Sequence, residues 1–371
     1  MWRTPHLKLP RMRALLRTGV TGIAGVTTCA MFQGLYLQSQ YEPLPEARGP
    51  LNGVARWAQQ VSMQAQHVTQ QAQQVTQQAC RHGGAVIKSA TLRSRLSGGE
   101  KGGGEKGGGG DGGSVVSESG EAAYSAHGSS RGGGAAAPRK TVLFLGDSLI
   151  TGVGCSQESS HGPALPRAVA EFLSRRLRVD VQWAAFGETG GDVRTMRSKL
   201  LPTLADEVAA LRANGQNVDI VVVVCGLNDF KKAYRSSGNT AGGFCLELGE
   251  LVREVKLLAG SDCTVVLPAL PVHRAPVFDG IWPLQHFLAP LAALWDEQKL
   301  ITAQRVRRVC FVRNAERDEW WSAKQYWAVD GIHPNDEGYR IWGEHIADGI
   351  LSHLRAAQKP ALLMKPAEPL A

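Results

Sequence analysis

No acidic residue occurs before Glu42, and no charged side chain of either sign lies between Thr18 and Tyr41. The chain has no C-x-x-C pair and no Cys/His spacing suited to zinc, which excludes zinc ribbons and dithiol redox centres. Its seven cysteines are odd in number and irregularly spaced, so they supply no disulfide framework and read as free thiols, with Cys225 a small core residue. No Asn-x-Ser/Thr sequon is present, which removes one mark of a lumenal glycoprotein. The net charge of +8 is also unevenly placed. Residues 1–140 carry 16 Lys/Arg against 7 Asp/Glu, whereas residues 141–371 carry 25 against 26. Basicity therefore belongs to the amino-terminal part, and no nucleic-acid partner is expected.

The chain divides by composition into five parts. Residues 1–41 form a basic leader with a marginal hydrophobic segment, diluted by glycine, threonine and glutamine. It reads either as a signal-anchor, which would associate with a membrane through residues 18–41, or as an organellar transit peptide. A membrane-anchored or organellar location is thus expected rather than a cytoplasmic one. Residues 42–82 hold a Gln-rich helix in which Val61, Ala65, Val68, Ala72, Val75 and Ala79 recur at alternating spacings of four and three. That is a short heptad seam of small residues. Residues 83–138 are Gly/Ser-rich and cannot bury enough apolar surface to order themselves, so a flexible tether is expected. A domain over 139–356 and a disordered tail over 357–371 complete the chain.

Within 139–356, β-branched and apolar runs alternate with helical periodicities. Strands are expected near 141–145, 179–184, 219–225, 264–267 and 308–312, and helices near 163–177, 192–213, 240–259, 284–304 and 337–356. Such alternation implies an α/β domain with a parallel sheet covered by helices on both faces. Ligands of such sheets bind outside the carboxyl ends of the strands.

Four pieces of sequence sit at those ends. The run Thr141–Leu145 stops at Gly146 and presents Ser148 two residues on, as a nucleophile or as the cap of the next helix. Asp330 and His333, three apart in a Gly/Pro-containing turn, can fold so that the carboxylate holds one ring nitrogen while the other faces a serine. Val221–Cys225 runs into Gly226 and then Asn228, whose amide can donate to an oxyanion. A shorter apolar stretch leads into Gly187, whose N–H is a further candidate donor. Each piece alone is compatible with an ordinary turn.

Together, Gly146-Asp-Ser-Leu149, Gly187-Glu-Thr189, Gly226-Leu-Asn-Asp229 and Asp330-Gly-Ile-His-Pro334 resemble, in order, the blocks of the SGNH hydrolase superfamily, the GDSL esterases and lipases. One departure is Ala184-Ala-Phe186 before Gly187, where many members carry Asn or Ser. The resemblance covers about residues 139–356. It implies a three-layer αβα sandwich of flavodoxin-like type, with a five-stranded parallel sheet in the order 2-1-3-4-5. It also implies ester hydrolysis through an acyl-enzyme on Ser148, with His333 as general base, Asp330 orienting it, and an oxyanion hole of Ser148, Gly187 and Asn228. No cofactor and no metal are needed, and a small-molecule ester or lipid is the expected substrate. An acyltransferase using the same residues, or a tethered scaffold without catalysis, are the alternatives. The Pro-rich apolar segment 267–282 is a candidate wall for an acyl group. Were Val277, Phe278, Ile281 and Trp282 to line it, medium or long acyl chains would fit better than acetate.

Overall fold

The computed structural model describes residues 28–37, 41–63, 139–233, 240–314 and 323–358, with a few isolated helical positions between 66 and 74. Two units are distinguished, Met1–Gln60 with Pro138–Ala371, and Val61–Ala137. The heptad seam from Ala65 onward, the tether and the tail beyond residue 358 lie outside the described residues, as does the leader before residue 28.

The first unit is built on a six-stranded sheet. In chain order the strands are β1 (Asn52–Ala55), β2 (Arg139–Gly146), β3 (Asp180–Gly187), β4 (Ile220–Val224), β5 (Thr264–Pro268) and β6 (Val309–Val312). Their spatial order is β1-β3-β2-β4-β5-β6. The five strands β2 to β6 are parallel, and among themselves they follow the expected order. β1 was not foreseen. It pairs antiparallel with β3, Gly53 opposite Trp183 and Val54 opposite Gln182. The five-stranded parallel sheet is therefore corrected to a mixed six-stranded one. The expected helix over 42–82 does not hold at its start, since residues 41–51 run without helix into β1 and helix begins only at residue 57. The physical reason is local: Pro43, Pro45 and Pro50 deny the helix its N–H donors, and the free edge of β3 offers a ladder instead.

Strand alternation divides the core. Val142 and Phe144 face one side with Ala164, Leu165, Val169, Trp342 and Ile346. Leu143 and Leu145 face the other with Leu204, Leu248, Val252 and Trp295. The first layer comes from the helices Ala164–Leu177 and Asp336–Gln358, and the second from Leu201–Ala213, Ala241–Ala259 and Leu284–Arg305. Residues 28–37, part of the stretch considered for a membrane anchor, form a ten-residue helix that packs on this second layer through Ala30 and Leu37. No helix among the described residues is long and apolar enough to cross a membrane.

Candidate active site

β2 delivers Ser148 to the carboxyl end of the sheet and stops there for a chemical reason. Asp147 caps the single-turn helix Ser148–Thr151, its Oδ1 accepting the Leu149 N–H at 3.1 Å. Capping is thus done by Asp147, and Ser148 is left as the first helical residue with its hydroxyl free for another partner. That partner is His333, whose Nε2 lies 2.9 Å from Ser148 Oγ. Nδ1 of the same ring lies 2.7 Å from Asp330 Oδ2.

The turn that carries the pair holds itself in place. Asp330 Oδ1 accepts the backbone N–H groups of Ile332 at 2.9 Å and His333 at 3.0 Å, so the three-residue spacing closes around one carboxylate. Burial raises the proton affinity of Asp330, but the His333 contact and the two N–H bonds outweigh it and hold the carboxyl below its usual range. An ionised Asp330 accepts from Nδ1–H, which leaves the Nε2 lone pair directed at the serine hydroxyl. Water is largely excluded, with Ser148 6 % and His333 3 % exposed.

Two neighbouring strand exits complete the surround. Gly187 ends β3 opposite Gly146 of β2. A Cβ at Gly187 would lie 2.6 Å from Thr151 Cγ2 and 3.0 Å from Thr151 N, so only glycine lets β3 approach the serine helix this closely. After β4 the chain turns through Gly226 at φ +116° and brings in Asn228. Its amide nitrogen donates to Asp147 Oδ2 at 3.1 Å and to the Gly191 carbonyl at 2.9 Å, so Asn228 clamps the serine loop to the loop after β3. Asp147 is fully buried, and this burial pushes its carboxyl up against the opposing Leu149 N–H and nearby cations. Asp147 thus braces the serine loop through its bonds to Leu149 and Asn228. All five residues singled out from sequence are thus gathered at one end of the sheet, while His161, His273, His286 and His345 bond elsewhere.

Two residues went unforeseen because no motif marks them. The Tyr41 hydroxyl lies 3.4 Å from Asp330 Oδ2 and 3.5 Å from His333 Nδ1. Burial and then the Asp330 charge push this phenol up to about 12, so it remains a neutral donor. Lys231 Nζ sits 5.9 Å from the centre of the Tyr41 ring, and burial lowers its proton affinity against the pull of Asp147 and Asp330. Of the four residues expected to form an acyl wall, Val277 and Phe278 line a cavity beside Asp330. Ile281 instead packs into the second core layer, and Trp282 is 63 % exposed. Its place in the turn before the helix Leu284–Arg305 carries the indole outward.

Solved structures to which the chain is similar include carbohydrate esterases at low identity. One is an acetylxylan esterase from Geobacillus stearothermophilus, 17% identical, covering 57% of this chain and 94% of its own at a TM-score of 0.40. Another is a carbohydrate esterase family 2 enzyme from Corynascus thermopiles (Myceliophthora fergusii), 15% identical, covering 60% and 68% at 0.42. A third is a Clostridium thermocellum family 3 carbohydrate esterase, 17% identical, covering 59% and 99% at 0.38. No curated protein matches the sequence. A family profile does match, over residues 144–341 and so over more than half of the chain, and the chain belongs to the GDSL-like lipase/acylhydrolase family, a family of ester-bond hydrolases.

Proposed function

We propose that this protein is a serine ester hydrolase that works through an acyl-enzyme on Ser148. The observation that carries the reading is the unbroken contact from Asp330 Oδ2 through His333 to Ser148 Oγ, 2.7 Å and 2.9 Å long, in a buried setting. Ser148 Oγ attacks the ester carbonyl as His333 Nε2 takes its proton. The same imidazolium then returns that proton to the leaving alkoxide. Water, deprotonated by the freed imidazole, attacks the acyl-enzyme and regenerates the serine. Asp330 holds the tautomer and balances the charge that the ring acquires.

The developing oxyanion is met by the N–H groups of Ser148 and Gly187 and by the Asn228 amide, each such donor typically worth about 10²–10³ in turnover. In the resting protein that amide is engaged with Asp147 and Gly191, so Asn228 must release one of these acceptors to meet the oxyanion. The test is hydrolysis of p-nitrophenyl esters by the full chain and by Ser148→Ala, together with labelling by a fluorophosphonate probe. Turnover and labelling that both vanish in the variant support the reading. Equal turnover in the two proteins would overturn it.

A further inference from the structure

The cavity beside Asp330 has a volume of about 430 Å³, within the range of sites that take small ligands. One wall belongs to the enzyme domain: Val277, Phe278 and Leu284. A second wall belongs to the same unit of the structure but not to the family-matched residues. It comes from residues 34–37 and 41–44, including Leu35, Leu37 and Leu44. Polar groups are confined to a few positions, among them Tyr41, Lys231 and Asp330, and two of these touch or adjoin the His–Asp pair.

The amino-terminal wall is fastened at several points. Gln33 Nε2 donates to the Trp282 carbonyl at 2.7 Å, while its Oε1 accepts the Leu284 N–H at 3.3 Å. Tyr41 reaches Asp330, and further on the Ala47 N–H bonds the Thr151 carbonyl at 3.1 Å. β1 then locks onto the sheet edge. On the other side, Val277 N–H bonds the Gly331 carbonyl at 3.1 Å, tying that wall to the Asp330 turn. Both walls are therefore tied to the Asp330 turn, and Val329, 95 % exposed, adds an apolar side chain to the lining.

We propose that this cavity is the acyl-chain site of the esterase, and that the amino-terminal residues 34–37 and 41–44 make the protein selective for esters of medium-length aliphatic acids. The proposal rests on the serine esterase reading for its chemistry. At roughly 30 Å³ for each water-sized group, the cavity takes on the order of ten to fifteen such groups, which is far more than an acetyl needs. Full burial of one methylene corresponds to about fourfold in kcat/KM. Half of that free energy per methylene still gives a gain of more than tenfold from butyrate to octanoate.

The experiment compares p-nitrophenyl esters from acetate to laurate on the full chain, on Leu37→Trp and on Leu44→Trp. In parallel, decanoate is titrated into Ser148→Ala and into Ser148→Ala carrying Leu37→Trp, with melting temperatures checking that each variant folds. The expected result is a rise in kcat/KM towards octanoate or decanoate. In a folded tryptophan variant the octanoate-to-acetate ratio should fall at least tenfold, and decanoate should bind at least tenfold more weakly when Leu37 is replaced. An unaltered ratio in both tryptophan variants overturns the proposal, as does failure of Ser148→Ala to bind decanoate. Should no ester be turned over while decanoate binds in a Leu37-dependent way, the esterase reading falls and the acyl-chain site stands.

Discussion

Replacing Asp330 by Asn tests the relay at its most determinate point. Asp330 Oδ1 faces two backbone donors, the N–H groups of Ile332 and His333 at 2.9 and 3.0 Å, so an amide can only place its oxygen there. Its NH₂ group must then occupy the Oδ2 corner, 2.7 Å from His333 Nδ1. To accept from it, the imidazole carries its proton on Nε2, the nitrogen that faces Ser148 Oγ. The base is thereby turned into a donor with scarcely an atom moved. In a serine triad the wrong tautomer lowers turnover by about 10⁴, or roughly 5 kcal/mol in the barrier. Steady-state hydrolysis of a p-nitrophenyl ester measures it, and ¹⁵N NMR of the imidazole reads the tautomer directly. Asp330→Ala leaves the tautomer free and should retain more turnover than Asp330→Asn. Turnover of Asp330→Asn above a tenth of the wild type would refute the reasoning.

Asn228→Ala should lower kcat by about 10²–10³ through the lost oxyanion donor, and a kcat within threefold of wild type would leave Asn228 only its clamp on Asp147 and Gly191. Gly187→Ala should destabilise by about 1–3 kcal/mol, since the new methyl meets the Thr151 backbone nitrogen at 3.0 Å, and thermal unfolding reports it. Asp229 gives a pH signature. Burial, with help from Asp192 and Asp147, raises its carboxyl from 3.8 to about 6, and its Oδ2 has no hydrogen-bond partner among the described residues. Between pH 4 and 6 the unfolded chain releases this proton while the folded protein keeps it, so the stability it contributes below pH 4 is lost as pH rises through 6. The loss amounts to roughly 3 kcal/mol at most. Asp229→Asn, which keeps an acceptor for the Val193 N–H, should therefore gain in melting temperature over the wild type from pH 4 to pH 7. A difference that stays constant across that range would contradict the assignment.

The sequence by itself determined the parallel part of the sheet and which residues gather at its carboxyl end. Buried parallel strands are continuous apolar runs, legible as Thr141–Leu145 and Val221–Cys225, and each ends at a glycine followed by the polar residue it positions. The Asp330–His333 contact was legible too, because a carboxylate that accepts two N–H groups within its own turn brings the ring three residues later into reach. Tertiary structure decided what lies far apart in the chain. β1 is four residues long and set among prolines, with no periodicity to announce it, and only the free edge of β3 makes it a strand. Tyr41 reaches Asp330 across 289 positions, and Gln33 reaches Trp282 across 249. Neither contact follows from local spacing, because both depend on where the amino-terminal segment lies over a surface that exists only once the sheet has formed. The candidate catalytic groups are set by local turns at strand ends, whereas the cavity beside Asp330 is closed by long-range packing.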